Sequence, residues 1–587
     1  MRRHRLLTLA APLSLLASIL ASPPAAAATY DPNAPQVTNV FATTQRLSCY
    51  RPEVPYFDSL SGNAYSGMSP CSGSVKATGE NTGADGPYPS QLGSNPGYPA
   101  GGSMLVKNHS ESDLRVDPTN PLHLIGTSKW AVSAEGYNHL LGFFESFDGG
   151  KTWPNQGHIP GYEGWTDNTD PVGAFDSSGN FYTLILPYQF FYNPDGTHNF
   201  QINPNNEPNP NVPAEAITIS VRKKGWTGAT QWTSGSAMDV IASYPARGRE
   251  PDKQWITIDT NPNSSHPDRI YAMWTVFDGI AAVPEVSYAD AISDGTHTPW
   301  STPQTLPMAA NSPQGDTYAL PHVTADGTVY TTLTNFTDHS SVASIILDRS
   351  TDGGVTWETV STVVSNIQTP PITYRNTNFR DGIENTFAVG PKLTTGQYPL
   401  YVSWEDYSTG YGNLQISASY NGGLTWSTTP VKVNDNPGDT DAFQPNVATA
   451  ANGRVLVAFY DRRLDCPLKG IEATLAGIDI DTTLPNGAHP YGAHNYCVNS
   501  SLQVFDANLN KVLGNVRLSQ HTWDPQLNSM KPSGINRYRG FIGDYYGIDI
   551  GVINGKYTVF TTSVSTYDDG TNPNHFQQQV VASLAIP

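Results

Sequence analysis

Apolar residues in this chain come in short runs of about four to seven, separated by polar stretches and turn residues. Tyr271-Ala-Met-Trp274, Tyr401-Val-Ser-Trp404 and Val457-Ala-Phe-Tyr460 are examples. Each is the second strand of a unit that opens on an Asp, runs through a first apolar strand and turns at Gly or Pro. The openings are Asp113-Leu-Arg-Val, Asp170-Pro-Val-Gly, Asp252-Lys-Gln-Trp, Asp316-Thr-Tyr-Ala, Asp381-Gly-Ile-Glu, Asp441-Ala-Phe-Gln and Asp544-Tyr-Tyr-Gly. Strands this short and numerous predict an all-β protein.

A sharper repeat lies among them. Ser146-Phe-Asp148-Gly149-Gly150-Lys-Thr152-Trp153 returns as Ser350-Thr-Asp352-Gly353-Gly354-Val-Thr356-Trp357 and as Ser419-Tyr-Asn421-Gly422-Gly423-Leu-Thr425-Trp426. Degenerate copies run from Ser287 through Asp290 to Trp300 and from Arg222 to Trp232. The pattern predicts a tight hairpin: Asp or Asn accepts backbone N–H groups, the glycines supply positive φ, and Trp packs beneath. Four units place their opening Asp 35, 38, 36 and 40 residues before a box Asp or Asn. A repeat of that length with four strands per unit predicts a β-propeller of seven blades, or six if an end unit is incomplete. Asn193–Pro213 and Leu464–Asn499 are then insertions.

Ends and composition refine this picture. Residues 1–28 read as an export signal, with Arg2, Arg3 and Arg5, an apolar stretch from Leu6 to Ala21, and Ala26-Ala27-Ala28 before Thr29. Residues 29–105 form an irregular leader with one expected strand, Gln36–Thr43, and residues 106–587 form the propeller. Later apolar runs are too short to span a membrane. The expectation is a secreted, monomeric protein. The chain has 587 residues with 32 basic and 51 acidic side chains, a net charge of −19 that argues against nucleic acid as a partner. Gly and Pro make up about 17% of it, too many for a helical bundle. Four cysteines fit an oxidising compartment, with Cys49–Cys71 and Cys466–Cys497 as the expected disulfides.

The seven opening Asp residues would meet at one mouth of the channel, capping turns or acting as acid, base or cation ligands. Crowded carboxylates raise one another's pKa, which suits proton donation. No cofactor is required, and a structural Ca²⁺ among these oxygens is expected. Arginines cluster at the same points: Arg115, Arg247 and Arg249, Arg375 and Arg380, Arg462 and Arg463, Arg537 and Arg539. Their forks suit a substrate carboxylate or the Asp ring itself.

The three boxes resemble the Asp boxes of the sialidase superfamily, and the resemblance covers most of residues 111–587. It implies a glycoside hydrolase that removes a terminal, anionic sugar from an extracellular glycan. The alternatives are a non-catalytic glycan- or protein-binding propeller and a polysaccharide lyase. Carried over, the resemblance implies that Arg115, Arg380 and Arg463 hold the substrate carboxylate. It also makes Tyr546 the nucleophile, Glu384 its base and Asp170 the acid, with Tyr545 the alternative to Tyr546. Two departures stand out. The Pro expected next to Arg115 is displaced to Pro118, and no Asp lies in Ser128–Tyr137, where the family's acid is expected.

Overall fold

The structure, a computed structural model, describes residues 36–40, 46–47, 104–105, 108–131, 139–162, 167–188, 215–244, 249–278, 281–307, 315–336, 342–371, 373–377, 379–380, 385–480, 484, 487–527, 540–573, 575 and 577–587. Seven antiparallel sheets follow one another along the chain. Their innermost strands are Asn108–Val116, Asp167–Phe175, Arg249–Ile258, Asp316–Val323, Thr386–Val389, Ala442–Thr449 and Gly547–Ile553. In each blade the next strands add outward in sequence order, the pattern of a seven-bladed propeller.

The seventh blade draws its outermost strand from the other end of the chain. Gln36–Val40 pairs antiparallel with Gln578–Ala585, from Gln36 opposite Ser583 to Val40 opposite Gln579. The leader strand expected at Gln36–Thr43 thus closes the ring.

Second strands, flanked by strands on both sides, carry three of the largest fully buried side chains. Trp130, Trp274 and Trp404 are fully buried in the first, third and fifth blades. Each buries roughly 200 Å² or more of ring, the largest apolar contribution one side chain makes.

The three boxes form the expected hairpin three times over. In the first, Asp148 Oδ1 accepts Lys151 N–H (3.0 Å) and Thr152 N–H (2.9 Å), and Oδ2 accepts the Thr152 hydroxyl (2.7 Å). Ser146 Oγ accepts Gly150 N–H at 2.8 Å. Asp352 and Ser350 repeat these contacts, and Asn421 and Ser419 keep most of them. Both glycines of each box have φ between 70° and 87°. The two degenerate copies differ. Asp290 faces the Arg269 guanidinium (2.7 Å), and its turn is capped by Asp294 instead. Arg222 reaches across to Glu145 of the first blade (2.7 Å).

Cys466 and Cys497 are bonded, pinning the insertion of the sixth blade. Cys49 and Cys71 lie outside the described residues. Among the described residues no helix is long and apolar enough to cross a membrane.

One irregularity positions the site. In five blades the innermost strand slips register against its neighbour, between Ser110 and Asp113, Thr169 and Val172, Asp252 and Trp255, Thr317 and Leu320, and Phe443 and Asn446. Inside each slip one residue is left-handed: Glu111, Asp170, Lys253, Tyr318 and Gln444, with φ of 52°, 55°, 56°, 58° and 47°. This is one β-bulge built five times. A left-handed non-Gly residue costs about 1 kcal/mol, so each is held there by the ladder on either side of it.

Candidate active site

The bulges gather ionisable side chains from different blades at one mouth of the channel. Lys253 Nζ sits 2.6 Å from Asp544, 3.8 Å from Asp252 and 3.9 Å from Asp170. Lys129, on the second strand of the first blade, lies 3.2 Å from Glu111 and 3.8 Å from Asp170. Its ammonium also rests over the Phe541 ring at 5.3 Å. Thr169 donates its hydroxyl to Asp170, and Gln254 donates to the Asp170 carbonyl at 2.6 Å. The Lys253 ammonium lies 5.8 Å from the centre of the Tyr318 ring. Glu111, Asp170 and Asp544 are buried, while Asp252 keeps 33% of its side chain exposed.

The electrostatics separate the carboxyl groups. Burial, reinforced by the Asp170 charge, lifts Glu111 well above the usual carboxylate range. Asp170 is equally buried, but Lys253 and Lys129 outweigh that and hold it well below that range. Burial raises Asp252 to about 7, with Lys253 opposing and the Asp170 charge and hydrogen bond adding to the rise. For Lys253, burial is overcome by Asp252, Asp544 and Asp170, which lift it well above the ordinary lysine value. Asp170 is thereby favoured as the ionised member of the group, while Glu111 and Asp252 are pushed toward their protonated forms. Neighbouring carboxyls driven apart in this way are the signature of an acid and base assignment. The positive charge among these oxygens is supplied by Lys129 and Lys253.

The residues expected from sequence fall in several places. Asp170 is at the centre of the cluster. Of the seven opening Asp residues, Asp252 and Asp544 join it. Asp113 is elsewhere: it accepts Gly173 N–H (2.8 Å) and pairs with Arg115 (2.9 Å). Asp441 pairs with the fully buried Arg462 (3.1 Å), and Asp316 accepts from Asn335. Asp381 lies outside the described residues. Among the described residues the expected ring is thus a cluster of three, because in the five bulged blades the opening Asp does not keep one position relative to the bulge.

Arg115 faces the channel, but it is used as a clamp between blades. Its Nε donates to the Gly173 carbonyl (2.8 Å), Nη1 to Leu114 and Ile548 (3.3 Å each), and Nη2 meets Asp113. It lines a channel cavity of about 310 Å³ with Trp255, His322 and Asp549. Arg463 is engaged within the sixth blade and its border, by Asp461, Asp435 (2.5 Å), Asn436 (2.9 Å) and Asn515 (2.7 Å). The Arg380 backbone pairs in parallel with Phe541; its side chain, like the whole of Glu384, lies outside the described residues.

Tyr546 is 1% exposed, its ring 4.9 Å from Tyr460. Its hydroxyl points toward Ser500, Thr561 and Ser563, and burial raises its pKa. Tyr545 faces the other way, its ring 5.8 Å from Trp255. The structure therefore brings Asp170 together with Asp252 and Asp544, and does not bring Arg115, Arg463 and Tyr546 to it.

Glu111, Lys129, Lys253 and Tyr318 went unnoticed in the sequence. The available signal was a chemically rich residue within three positions of an opening Asp: Glu111 before Asp113, Lys253 after Asp252, and Tyr318 after Asp316.

No family model and no curated protein sequence matches the chain. Among solved structures it is similar to a Hadza microbial sialidase at 15% identity, over 60% of this chain and 63% of that one, with a TM-score of 0.38. It is similar to a Trypanosoma rangeli sialidase mutant displaying trans-sialidase activity at 11% identity, over 88% and 59% of the two chains, with a TM-score of 0.34. A polysaccharide lyase matches at 10% identity over 94% of this chain and 100% of its own, with a TM-score of 0.41. The chain thus spans less than two thirds of either sialidase. Its chemistry is read from its own residues.

Proposed function

We propose that the chain is a glycan-acting enzyme, a glycoside hydrolase working at the channel mouth formed by Glu111, Asp170, Asp252 and Lys253. The observation that supports this most directly is the carboxyl run itself. It is three acids deep, at or next to a bulge repeated in five blades, and burial and the Asp170 charge raise its partly exposed member, Asp252, to about 7. A general acid is most effective when its pKa lies near the working pH, and Asp252 meets that condition. The class of bond comes from the resemblance of the three boxes to the sialidase superfamily. The reading of residues 1–28 as an export signal places the substrate outside the cell.

In this reading Asp252 gives its proton to the glycosidic oxygen as the carbon–oxygen bond breaks, and the electron pair stays with that oxygen. Water adds to the anomeric carbon and returns a proton to the carboxyl run. Asp170, favoured in its ionised form by Lys129 and Lys253, orients the Asp252 proton and stabilises the positive charge developing on the sugar. Tyr546 is not given the nucleophile's role, because its hydroxyl is buried between blades.

The test is hydrolysis of a panel of aryl glycosides by wild type and Asp252→Asn. Loss of about 10²–10⁴-fold in kcat with an unchanged melting curve is expected for a general acid. Equal activity of both proteins would discard Asp252. Inactivity of wild type on the whole panel, with retained glycan binding, would favour the non-catalytic reading.

A further inference from the structure

Resting on that reading, we infer that the channel mouth selects neutral sugars and turns away sugars bearing a carboxylate. Sequence resemblance points the other way, toward an anionic sugar held by three arginines. The charge balance at the mouth is what argues against it.

Among the described residues four carboxyl groups, Glu111, Asp170, Asp252 and Asp544, surround two ammonium groups, Lys129 and Lys253. Each ammonium is already shared between at least two carboxyl groups at 2.6–3.9 Å, Lys129 with ionised Asp170 and Lys253 with Asp170 and Asp544 among them. Neither is left to meet an incoming anion without giving up a partner that burial makes costly to strand. Further down the channel Arg115 is used in the same way. Its guanidinium is bound to three carbonyls and to Asp113, and Asp549 stands beside it.

The group that meets solvent first is Asp252, an acid. A sugar carboxylate docked beside ionised Asp252 would meet a like charge, while the Lys253 ammonium is already held by Asp544 at 2.6 Å. At a protein surface that repulsion is worth about tenfold or more in affinity. The neutral surface of a sugar ring finds suitable partners instead. Trp255 lines the channel cavity below the acids, with Tyr545 packed against its ring, and Tyr318 stands beside Lys253. Aromatic faces take the C–H side of a ring, while carboxylates and ammonium groups take its hydroxyls.

The same groups give the selectivity a direction in pH. Asp252 is faced by Lys253, Asp170 and Asp544, with Glu111, Lys129 and Tyr318 around them. As pH rises through about 7, Asp252 loses its proton and the mouth gains a negative charge. Rejection of anionic sugars should therefore grow with pH.

The experiment uses the full-length protein and two readouts. The first is kcat/KM on matched aryl glycosides that differ only at C5, glucoside against glucuronide and galactoside against galacturonide, with an arabinofuranoside and a sialoside added. The second is calorimetric binding of a neutral arabino-oligosaccharide and of an oligogalacturonate at pH 5.5 and 8. We expect the neutral partner to be preferred at least tenfold in each readout, with a larger ratio at pH 8. Asp252→Asn should bind with a ratio that no longer changes with pH. Faster cleavage of the anionic partner would overturn the inference and leave the hydrolase reading standing. Tight neutral binding without cleavage of any substrate would sink the hydrolase reading and keep the inference. Binding of neither oligosaccharide, or equal binding of both, would overturn the inference.

Discussion

At the scale of single residues, the structure separates groups that matter for chemistry from groups that only look chemical. Tyr546 carries a reactive hydroxyl but is packed between the sixth and seventh blades. Tyr546→Phe should leave turnover within about twofold of wild type and move the melting point instead, which paired kinetics and calorimetry would show; a loss of several orders of magnitude in kcat would return the nucleophile's role to it. Asp348, on the third strand of the fourth blade, shows how a buried acid registers in stability rather than catalysis. It is fully buried; burial raises it to about 8, with a Thr359 hydrogen bond pulling it back and the Asp316 charge adding to the rise. A raised carboxyl binds its proton more tightly in the folded chain than in the unfolded one. Its contribution is therefore intact below the ordinary Asp range near pH 4 and is lost progressively as pH climbs to about 8, by up to roughly 1.4 kcal/mol per pH unit. Denaturant unfolding of wild type and Asp348→Asn between pH 5 and pH 9 should show a shallower decline in the variant. Parallel curves would mean that Asp348 ionises normally.

Elements were legible to different degrees, and the reason is where their information lies. The boxes could be read because the side-chain bonds that shape their turn are internal to eight residues: Asp352 serves Val355, Thr356 and Ser350, all within four positions. Asp352→Ala removes those bonds together and should cost about 1–2 kcal/mol, as loss of a capping side chain does. Thermal unfolding is the check, and a shift below half a degree would show that the glycines alone make the turn. Strand count and blade count were equally readable, since alternating apolar runs and turn residues are local signals. The bulges were not. One extra residue in an innermost strand changes nothing in its composition, yet it decides which side chain enters the channel mouth. The opening Asp was taken as the common mark of every unit. The ladder shows that it stands on the bulge at Asp170, one residue before it at Asp252, two before at Asp316, three before at Asp441 and two after at Asp113. Asp170 was found because mark and bulge coincide there. Glu111 and Lys253 were missed because they do not.

Over the whole molecule, the property no single blade reveals is closure. A propeller holds its shape only while the first and last blades stay in contact, and here the two ends of the chain share one sheet. Gln36–Val40 lies on Gln578–Ala585, so the last blade is complete only when a segment more than five hundred residues upstream has joined it. The site depends on the same closure. Asp544 enters from the seventh blade to meet Lys253 of the third, and Lys129 of the first rests over Phe541. A ring opened between blades seven and one would therefore loosen the cluster from which Asp170 and Asp252 draw their unequal proton affinities. Removing residues 29–43 should lower the melting temperature by several degrees or more, since five paired residues contribute on the order of 3–5 kcal/mol. It should also shift the pH optimum of whatever glycosidase activity the wild type shows, because Asp252 would relax toward an ordinary carboxyl. A synthetic peptide covering residues 29–43, added in excess, should restore both by refilling the vacant edge. Recovery of the melting point without the pH optimum would mean that closure supports the fold alone. Failure to recover either, in a truncated chain that is still folded by circular dichroism, would show that the seventh blade stands on three strands.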